Sequence, residues 1–271
     1  MPRLAGVLGW PVAHSRSPAL HGAAYRALGL SAIYLPFAVA PADLAAAVRG
    51  LGVLGALGVN VTVPHKGDAL ALCDEVDEVA RAAGAVNTIV YSPEGRARGF
   101  NTDVAGFTDA LDGRVPGPAV VLGAGGAARA VVLALTARGD QVTVVARDAA
   151  AAARAAAVAG AATAQWTEAE LRQVCAGARL VVDATSAGLE PGRRLAPSPP
   201  LERLASGAVV VSLIYHHETA LLAEARALGV ATMDGGPMLV HQAARAFTLM
   251  TGCAAPLDVM FAAYAANASA T

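Results

Sequence analysis

The chain has 271 residues, enough for two domains of ordinary size, and its 20 Lys and Arg against 21 Asp and Glu give a net charge of −1. Much of its 55 % hydrophobic fraction is alanine, and its longest uncharged runs, residues 27–42 and 50–65, are interrupted by Gly and Pro and fall short of the ~18 to 20 residues that span a bilayer. We therefore expect no membrane segment, and the balanced charge without a polybasic run argues against a nucleic-acid partner.

The first hundred residues alternate short apolar strands with helical segments, which predicts a mostly parallel α/β sheet. The segments Thr88–Ser92 and Arg96–Phe100 flank a Pro-Glu-Gly turn and predict a hairpin, which adds an antiparallel pair. The Gly/Pro-rich residues 112–118 mark a boundary. The predicted strands are Leu4–Leu8, Ile33–Val39, Val59–Val63 and Val86–Tyr91; the predicted helices are Pro18–Leu28, Pro41–Leu51, Glu75–Ala83 and one that follows Asp103 and runs to about Leu111.

A second α/β series follows and predicts a separate, doubly wound domain of the Rossmann type. Its strands are predicted at Ala119–Leu122, Gln141–Ala146, Leu180–Ala184, Ala208–Ile214 and Val230–Met233. The alanine-rich run Ala149–Ala164 is predicted to be a surface helix. Two terminal helices, Met238–Phe247 and Pro256–Ala266, are expected to return to the first domain. The predicted domains are thus residues 1–103 with 240–271, and residues 104–239.

A glycine-rich loop connects the strand Ala119–Leu122 to the next helix and fits the pattern G-x-G-x-x-A of a dinucleotide-binding turn. Gly123 permits a tight turn, Gly125 lets the backbone approach a diphosphate, and Ala128 allows close packing of helix on strand. The N–H groups at the start of that helix would bind the phosphates. The predicted cofactor-binding residues of the loop are Gly123, Ala124, Gly125, Gly126 and Ala127.

Two adjacent charged residues, Arg147 and Asp148, end the strand Gln141–Ala146 and bear on the choice of cofactor. An acidic residue here accepts hydrogen bonds from the ribose 2′-OH of NAD, whereas an arginine matches the 2′-phosphate of NADP. Arg147 comes first after the strand and favours NADP, with Arg154 as a second candidate phosphate contact. Asp148 supports NAD as the less favoured alternative.

Polar clusters stand where strands of the first domain are predicted to end. They are residues 14–18, 60–66, 87–88 and 101–103. In open α/β sheets ligands bind at the carboxyl ends of the strands, so these clusters should converge on one crevice. The period-2 alternation of Asn60, Val61 and Thr62 directs both polar side chains to one side of the strand.

Three cysteines, at 73, 175 and 253, are too few and too widely spaced for a disulfide scaffold or a zinc site. The adjacent His216 and His217 cannot share one face of a metal site, so no metal is predicted. The N-terminus lacks the apolar stretch of a secretory signal, and we expect a cytoplasmic protein. The sequence does not decide the oligomeric state, and a homodimer is compatible with it.

Six motifs distributed over essentially the whole chain resemble those of the shikimate dehydrogenase family. They lie at residues 9–18 with His21, at 60–66, 84–88, 99–107, 123–127 and 235–243. The resemblance implies a substrate-binding first domain, an NADP-binding second domain, and NADPH-dependent reduction of 3-dehydroshikimate to shikimate in aromatic amino acid biosynthesis. Some positions depart from the family pattern, including Ala146 and Asp148 beside Arg147, which bears on the cofactor.

The same resemblance implies roles for individual residues. Lys66 and Asp103 would be the catalytic pair: an ammonium stabilises the charge that develops on a carbonyl oxygen and can donate a proton to it. A neighbouring carboxylate favours the charged ammonium. The residues implied to bind substrate are Ser15, Ser17, Asn60, Thr62, Asn87, Tyr215 and Gln242, and Leu213 and Gly235 are implied to line the nicotinamide.

Two other functions remain open at this point. Asp148 supports an NAD-dependent quinate/shikimate dehydrogenase, against which Ser17 argues because quinate-active relatives tend to carry Thr there. A regulator that binds shikimate without turnover is the third hypothesis. The intact Lys66, Asp103 and glycine loop argue against it, because a sensor does not need all three.

Overall fold

The computed structural model describes residues 2–268 and divides the chain into two compact units, residues 1–106 with 240–271, and residues 107–239. Each unit contains one six-stranded sheet. This agrees with the expected two-domain α/β fold. Both divisions lie within helices.

The first sheet is mixed. Its strands are β1 (Arg3–Gly9), β2 (Ala32–Ala38), β3 (Gly58–Val61), β4 (Glu75–Val76), β5 (Thr88–Tyr91) and β6 (Ala97–Phe100), in the order β2-β1-β3-β5-β6-β4. Strand β1 runs parallel to β2 and β3, while β5 runs antiparallel to β3 and β6 as the predicted hairpin requires. The helices of this part are α1 (Ser17–Ala27), α2 (Leu44–Val53), α3 (Glu78–Ala83) and α4 (Asp103–Ala110). Leu8, Val59 and Ile89 are fully buried in its core.

The second sheet is entirely parallel. Its strands are β7 (Pro118–Leu122), β8 (Gln141–Ala146), β9 (Ala162–Gln165), β10 (Leu180–Asp183), β11 (Val209–Ser212) and β12 (Ala231–Met233), in the order β12-β11-β10-β7-β8-β9. Its helices are α5 (Gly126–Arg138), α6 (Ala149–Ala157), α7 (Glu168–Cys175) and α8 (Ala220–Ala227). This strand order is that of the Rossmann fold, and its direction reverses between β7 and β10, so the loop after β7 lies at the switch point where dinucleotides bind.

The chain ends in α9 (Gly236–Thr251) and α10 (Leu257–Ala268). Helix α10 packs against α1, so the terminal helices return to the first unit as expected. Among residues 2–268, none of the helices is both long enough and apolar enough to cross a bilayer.

Two short strands were not predicted. Residues 75–83 were expected to form one helix, but β4 occupies the first two and Asp77 then caps α3 by accepting the Ala80 N–H at 2.7 Å. The alanine-rich run was expected to be helical to residue 164, but α6 ends at Ala157 and β9 begins at Ala162. Gly160, with φ +66°, lies between them. Helix propensity is local, whereas pairing with β6 or β8 is not, and here the pairing prevails.

Candidate active site

The predicted site residues fall into two groups, one in each unit. The first unit contains the group that lies at or beyond the ends of its strands and in α9: Ser15, Ser17, Asn60, Thr62, Lys66, Asn87, Asp103 and Gln242. The second unit contains the glycine loop 123–127 together with Arg147, Asp148, Leu213, Tyr215 and Gly235.

Lys66 and Asp103 form an ion pair. Lys66 lies in the turn after β3 and Asp103 begins α4, and the Lys66 Nζ donates to Asp103 Oδ2 at 2.6 Å. The two side chains are 18 % and 6 % exposed, so both are largely removed from water. Lys66 is the single lysine in a sequence that contains 19 arginines. An ammonium can release a proton and a guanidinium cannot, so the single lysine ammonium of the sequence stands beside a buried carboxylate.

The second oxygen of the Asp103 carboxylate is held by Asn87. The Asn87 Nδ2 donates to Asp103 Oδ1 at 2.8 Å, and the Asn87 Oδ1 accepts the Thr102 N–H at 2.7 Å, which determines the orientation of the amide. Asn101 Oδ1 accepts the N–H groups of Asp103 and Val104 at 3.0 and 3.3 Å and so caps α4. Capping and the candidate catalytic carboxylate are therefore supplied by different residues of one short segment.

Asn60 is buried, and its amide is almost fully engaged within the protein. Its Oδ1 accepts from the Tyr34 hydroxyl at 2.6 Å, and its Nδ2 donates to Thr88 Oγ1 at 3.0 Å and to the Asn87 carbonyl at 3.2 Å. Both N–H donors are thus used, and one lone pair of Oδ1 remains by count. If Asn60 contacts a substrate, it does so as an acceptor from a hydroxyl group.

Three further candidates follow β1 and β3, which are neighbours in the first sheet. Ser15 Oγ accepts the Ser17 N–H at 3.3 Å, and Ser17 is the first residue of α1, whose first turn contains no acidic residue. The Thr62 N–H donates to the Leu8 carbonyl at 2.9 Å. Hydroxyl groups beside a helix N-terminus suit a carboxylate. Gln242, on α9, accepts from Asn87 Nδ2 at 3.5 Å and from Thr102 Oγ1 at 3.4 Å.

An aromatic cluster of His21, Tyr25, Tyr34 and Phe247 lies next to this group. The His21 ring is fully buried and stacks on Tyr34 with 4.1 Å between the ring centroids. Burial lowers the pKa of His21 to about 3, so this imidazole is neutral in the folded protein. Burial also raises the pKa of Tyr25 to about 12. The cluster therefore supplies Tyr34 with uncharged neighbours.

The glycine loop of the second unit has the conformation that a dinucleotide requires. Gly123 has φ +107°, and a Cβ there would lie 3.1 Å from the Ala184 carbonyl carbon. Gly125 caps α5, and a Cβ at that position would meet nothing within 4 Å, so the loop backbone borders open space. The first turn of the 13-residue helix α5 contains no acidic residue. Open space before the N–H groups of a helix N-terminus fits a diphosphate.

Arg147 and Asp148 have different contacts in the structure. Asp148 Oδ1 accepts the N–H groups of Ala150 and Ala151 at 2.8 and 3.1 Å, so this carboxylate serves as the N-cap of α6. Arg147 is exposed, and its guanidinium carbon lies 5.8 Å from the centre of the Trp166 ring. Arg154 lies near Arg129 of α5, and burial together with this second positive charge lowers the pKa of Arg129. These features favour an additional phosphate over a bare ribose.

Leu213 and Gly235 approach each other at the ends of β11 and β12. The Gly235 N–H donates to the Ile214 carbonyl at 3.0 Å, and a Cβ at residue 235 would lie only 2.2 Å from the Leu213 carbonyl oxygen. A glycine is therefore required there. Tyr215 follows, and its ring packs on His216 with 4.1 Å between centroids.

Sequence reasoning missed Tyr34, Thr88, Thr102 and Trp166 as contributors to the two groups. Thr88 and Thr102 lie within motifs that the sequence analysis identified. Tyr34 and Trp166 carry no local signal in the sequence. Tyr34 lies near Asn60 only because of the strand register. Within residues 2–268, no cluster of three or more His, Cys, Asp or Glu side chains could hold a metal ion.

Comparison with known proteins identifies the family. Residues 7–89 match the shikimate dehydrogenase substrate binding domain, and residues 237–263 match the shikimate 5′-dehydrogenase C-terminal domain. A shikimate dehydrogenase (NADP(+)) of Rhodospirillum rubrum is 48 % identical over 274 aligned positions, which cover 94 % of each chain.

Solved structures agree with this. Shikimate 5-dehydrogenase of Thermus thermophilus, in complex with NADP(H) and shikimate, has a TM-score of 0.87 and 39 % identity, and the match covers 98 % of this chain and 99 % of that one. Quinate dehydrogenase of Corynebacterium glutamicum, in complex with NAD, has a TM-score of 0.84 and 33 % identity over 98 % and 99 % of the two chains.

Proposed function

Since the chain belongs to the shikimate dehydrogenase family, we propose that it catalyses the reversible, NADPH-dependent reduction of 3-dehydroshikimate to shikimate. The observation that carries this proposal is the Lys66–Asp103 pair, with 2.6 Å between Nζ and Oδ2. A positioned ammonium beside a buried carboxylate is the equipment that ketone reduction needs.

NADPH, when bound, supplies the hydride that reduces the carbonyl carbon. Lys66 Nζ then donates one proton to the carbonyl oxygen, so that a hydride and a proton together convert C=O to CH–OH. In the oxidation direction the neutral amine of Lys66 accepts the hydroxyl proton. Asp103 keeps the ammonium in place through Oδ2 and can accept a hydrogen bond from a ring hydroxyl, while Asn87 holds its Oδ1.

The neutral hydrogen-bonding groups of the first unit suit a polyhydroxylated acid. In this proposal Ser15 and Ser17 bind the substrate carboxylate at the start of α1, and Thr62 and Asn87 contact carboxylate or ring hydroxyls. Gln242 completes the set in this unit. Asn60 acts through its remaining acceptor position, which follows from the two donor hydrogen bonds that its Nδ2 already makes.

In the second unit the residues present fit NADP. The loop 123–127 and the first turn of α5 would bind the diphosphate, Arg147 would bind the 2′-phosphate, and Leu213 and Gly235 would line the nicotinamide. The open space at Gly125 and the capping role of Asp148 support this assignment. A cytoplasmic location and a homodimer complete the proposal; sedimentation velocity tests the latter.

A second candidate is an NAD-dependent quinate dehydrogenase, which the likeness to the Corynebacterium glutamicum enzyme favours. One experiment separates the two. Initial rates are measured with saturating 3-dehydroshikimate and equal concentrations of NADPH or NADH, and in the reverse direction with shikimate or quinate. We expect rapid turnover with NADPH and little with NADH. Preference for NADH with activity on quinate would establish the alternative, and binding of shikimate without turnover would indicate a regulator.

A further inference from the structure

A buried carboxylate stands at the switch point of the second sheet. Asp183 is the last residue of β10, where it lies opposite Leu122 of β7 and Ser212 of β11, and it is 2 % exposed. None of the ion pairs within residues 2–268 includes it. Burial raises the pKa of this carboxyl above its ordinary value, and its two contacts with Thr185 oppose that shift. Burying a carboxylate without a cation costs stability, which points to a functional role for the side chain.

One oxygen of this carboxylate holds the loop that follows β10. Asp183 Oδ1 accepts the Thr185 N–H at 2.9 Å and the Thr185 hydroxyl at 2.7 Å. Thr185 Oγ1 in turn accepts the Ala187 N–H at 3.2 Å. The last backbone hydrogen bond before this loop runs from the Ala184 N–H to the Leu122 carbonyl, at 2.9 Å. The peptide that joins residues 184 and 185 is therefore fixed at its first residue by the backbone and at its second by Asp183.

The glycine loop rests on this peptide. A Cβ at Gly123 would lie 3.1 Å from the carbonyl carbon and oxygen of Ala184 and 3.2 Å from the Thr185 nitrogen. Gly123 therefore packs its Cα directly on the peptide that Asp183 holds. Because Gly123 begins the loop that leads to the N–H groups of α5, a change in the orientation of this peptide would displace the proposed diphosphate site.

We propose that Asp183 is a positioning residue for the cofactor: its Oδ1 fixes the Ala184–Thr185 peptide, on which Gly123 rests. The identity of the cofactor as NADPH rests on the proposed function, whereas the effect on the loop does not. The acceptor atom and not the charge has this role, since both donors contact Oδ1 and no residue within 2–268 donates a hydrogen bond to Oδ2.

Two substitutions separate the acceptor from the charge. Asp183→Asn keeps an acceptor oxygen for Thr185 and removes the charge, whereas Asp183→Ala removes both. In Asp183→Ala the Kd for NADPH, measured by fluorescence titration, should rise about tenfold, the effect of one hydrogen bond to a charged group. Asp183→Asn should bind NADPH at least as tightly as the wild type. A loss of affinity as large in Asp183→Asn as in Asp183→Ala would overturn the proposal, because the charge would then be what matters.

Steady-state kinetics add a second criterion. In Asp183→Ala, KM for NADPH should rise with the Kd, while kcat at saturating NADPH and the Kd for shikimate should stay at the wild-type values, because Lys66 and Asp103 belong to the other unit. A fall in kcat with unchanged KM for NADPH would contradict a positioning role at the cofactor.

Asp140 provides a matched control in the same unit. It is also a buried carboxylate, and its Oδ1 accepts the Gly117 N–H at 2.9 Å, but it precedes β8 and so lies at the opposite end of the parallel strands. Asp140→Ala also breaks the ion pair with Arg138 and should lower thermal stability at least as much as Asp183→Ala. Its Kd for NADPH should nevertheless be unchanged. An equal rise in Kd would mean that general destabilisation causes the effect, and the proposal would be wrong.

A third measurement needs neither cofactor nor activity. In Asp183→Ala the Thr185 N–H loses its acceptor, so its hydrogen exchange, followed by NMR in the ligand-free protein, should accelerate at least about tenfold. Exchange of the Gly123 N–H should accelerate with it. Both rates should remain near the wild-type values in Asp183→Asn and in Asp140→Ala.

These measurements distinguish failure of this proposal from failure of the proposed function. If the wild type binds NADPH but does not reduce 3-dehydroshikimate, the proposed function fails, and the Kd values still decide the role of Asp183. If the wild type does not bind NADPH, unchanged exchange of Gly123 in Asp183→Ala refutes the positioning role and accelerated exchange supports it. If Asp183→Ala does not fold, Asp183→Val takes its place, since it fills the same space without an acceptor, and the same outcomes apply.

Discussion

The two units prepare a binding site by different means. In the first, the candidate catalytic and substrate-binding groups are side chains held by other side chains, as Asp103 is held by Lys66 and Asn87. In the second, the diphosphate site consists of backbone, with Gly123 at φ +107° and the start of α5. The difference follows from the ligands. A small hydroxylated acid requires several directed hydrogen bonds, whereas a diphosphate requires N–H groups and space.

Substitutions should therefore act differently in the two units. Groups in a shared hydrogen-bond network respond together, so substitutions in the first unit should be non-additive. In the second unit the diphosphate site consists of backbone. An added Cβ at Gly125 should therefore weaken cofactor binding without unfolding the chain.

The largest expected effect is on the proton donor. Lys66→Arg preserves the positive charge but removes the exchangeable proton, and we expect kcat to fall about 10²- to 10⁴-fold, the range for loss of general acid–base catalysis. Shikimate binding, measured by calorimetry, should persist. Arg49→Lys, an exchange in the opposite sense at an exposed position, is the control. Loss of less than tenfold would mean that charge alone suffices.

Gly125→Ala tests the proposed diphosphate site at the glycine loop. Its Cβ would meet no protein atom within 4 Å, so thermal stability should be unchanged, yet the methyl group would stand where the diphosphate approaches. We expect KM for NADPH to rise about thirtyfold, or roughly 2 kcal/mol. Gly50→Ala, which also has open space around its Cβ but lies inside α2, should leave KM for NADPH unchanged and raise thermal stability slightly. A variant with normal KM would place the diphosphate elsewhere.

His21 links the stability of the first unit to pH. Its pKa is lowered from about 6.5 in the unfolded chain to about 3 in the folded protein, so below pH 6.5 the unfolded state binds the additional proton. Stability should therefore decrease as the pH falls from 6.5 toward 3, and by about 2 kcal/mol between pH 7.5 and 5.

Urea unfolding at the two pH values measures this effect. In His21→Leu, the difference in unfolding free energy between the two pH values should be about 2 kcal/mol smaller than in the wild type. His14→Gln, at an exposed histidine, serves as the control. An unchanged dependence in His21→Leu would show that other groups cause it.

The smallest effect concerns the cofactor phosphate. Arg147→Gln should raise KM for NADPH about tenfold, since it removes one charged contact, and should leave KM for NADH unchanged. Steady-state rates with both cofactors measure the difference. Arg172→Gln, on the exposed surface of α7, is the control. Equal changes for NADPH and NADH would place Arg147 away from the 2′-phosphate.

Some structural features could be predicted and others could not. The hairpin of β5 and β6 was predicted because its turn and alternation are local, and so was the glycine loop. The strands β4 and β9 were missed, because two or four residues become a strand only when a neighbour is present to pair with them. Asp148 carried an ambiguous signal, and its contacts with the N–H groups of α6 became visible only in the structure.

The sequence by itself determined the fold class, the family and the residue types of the candidate site, because periodicity, turn chemistry and short motifs are properties of neighbouring residues. Tertiary structure decided how those groups are oriented. Tyr34 is one of the seven residues of β2, and its hydroxyl reaches Asn60 Oδ1 only because β2, β1 and β3 lie side by side. Hydrogen-bond direction depends on all partners at once, so it is settled by packing.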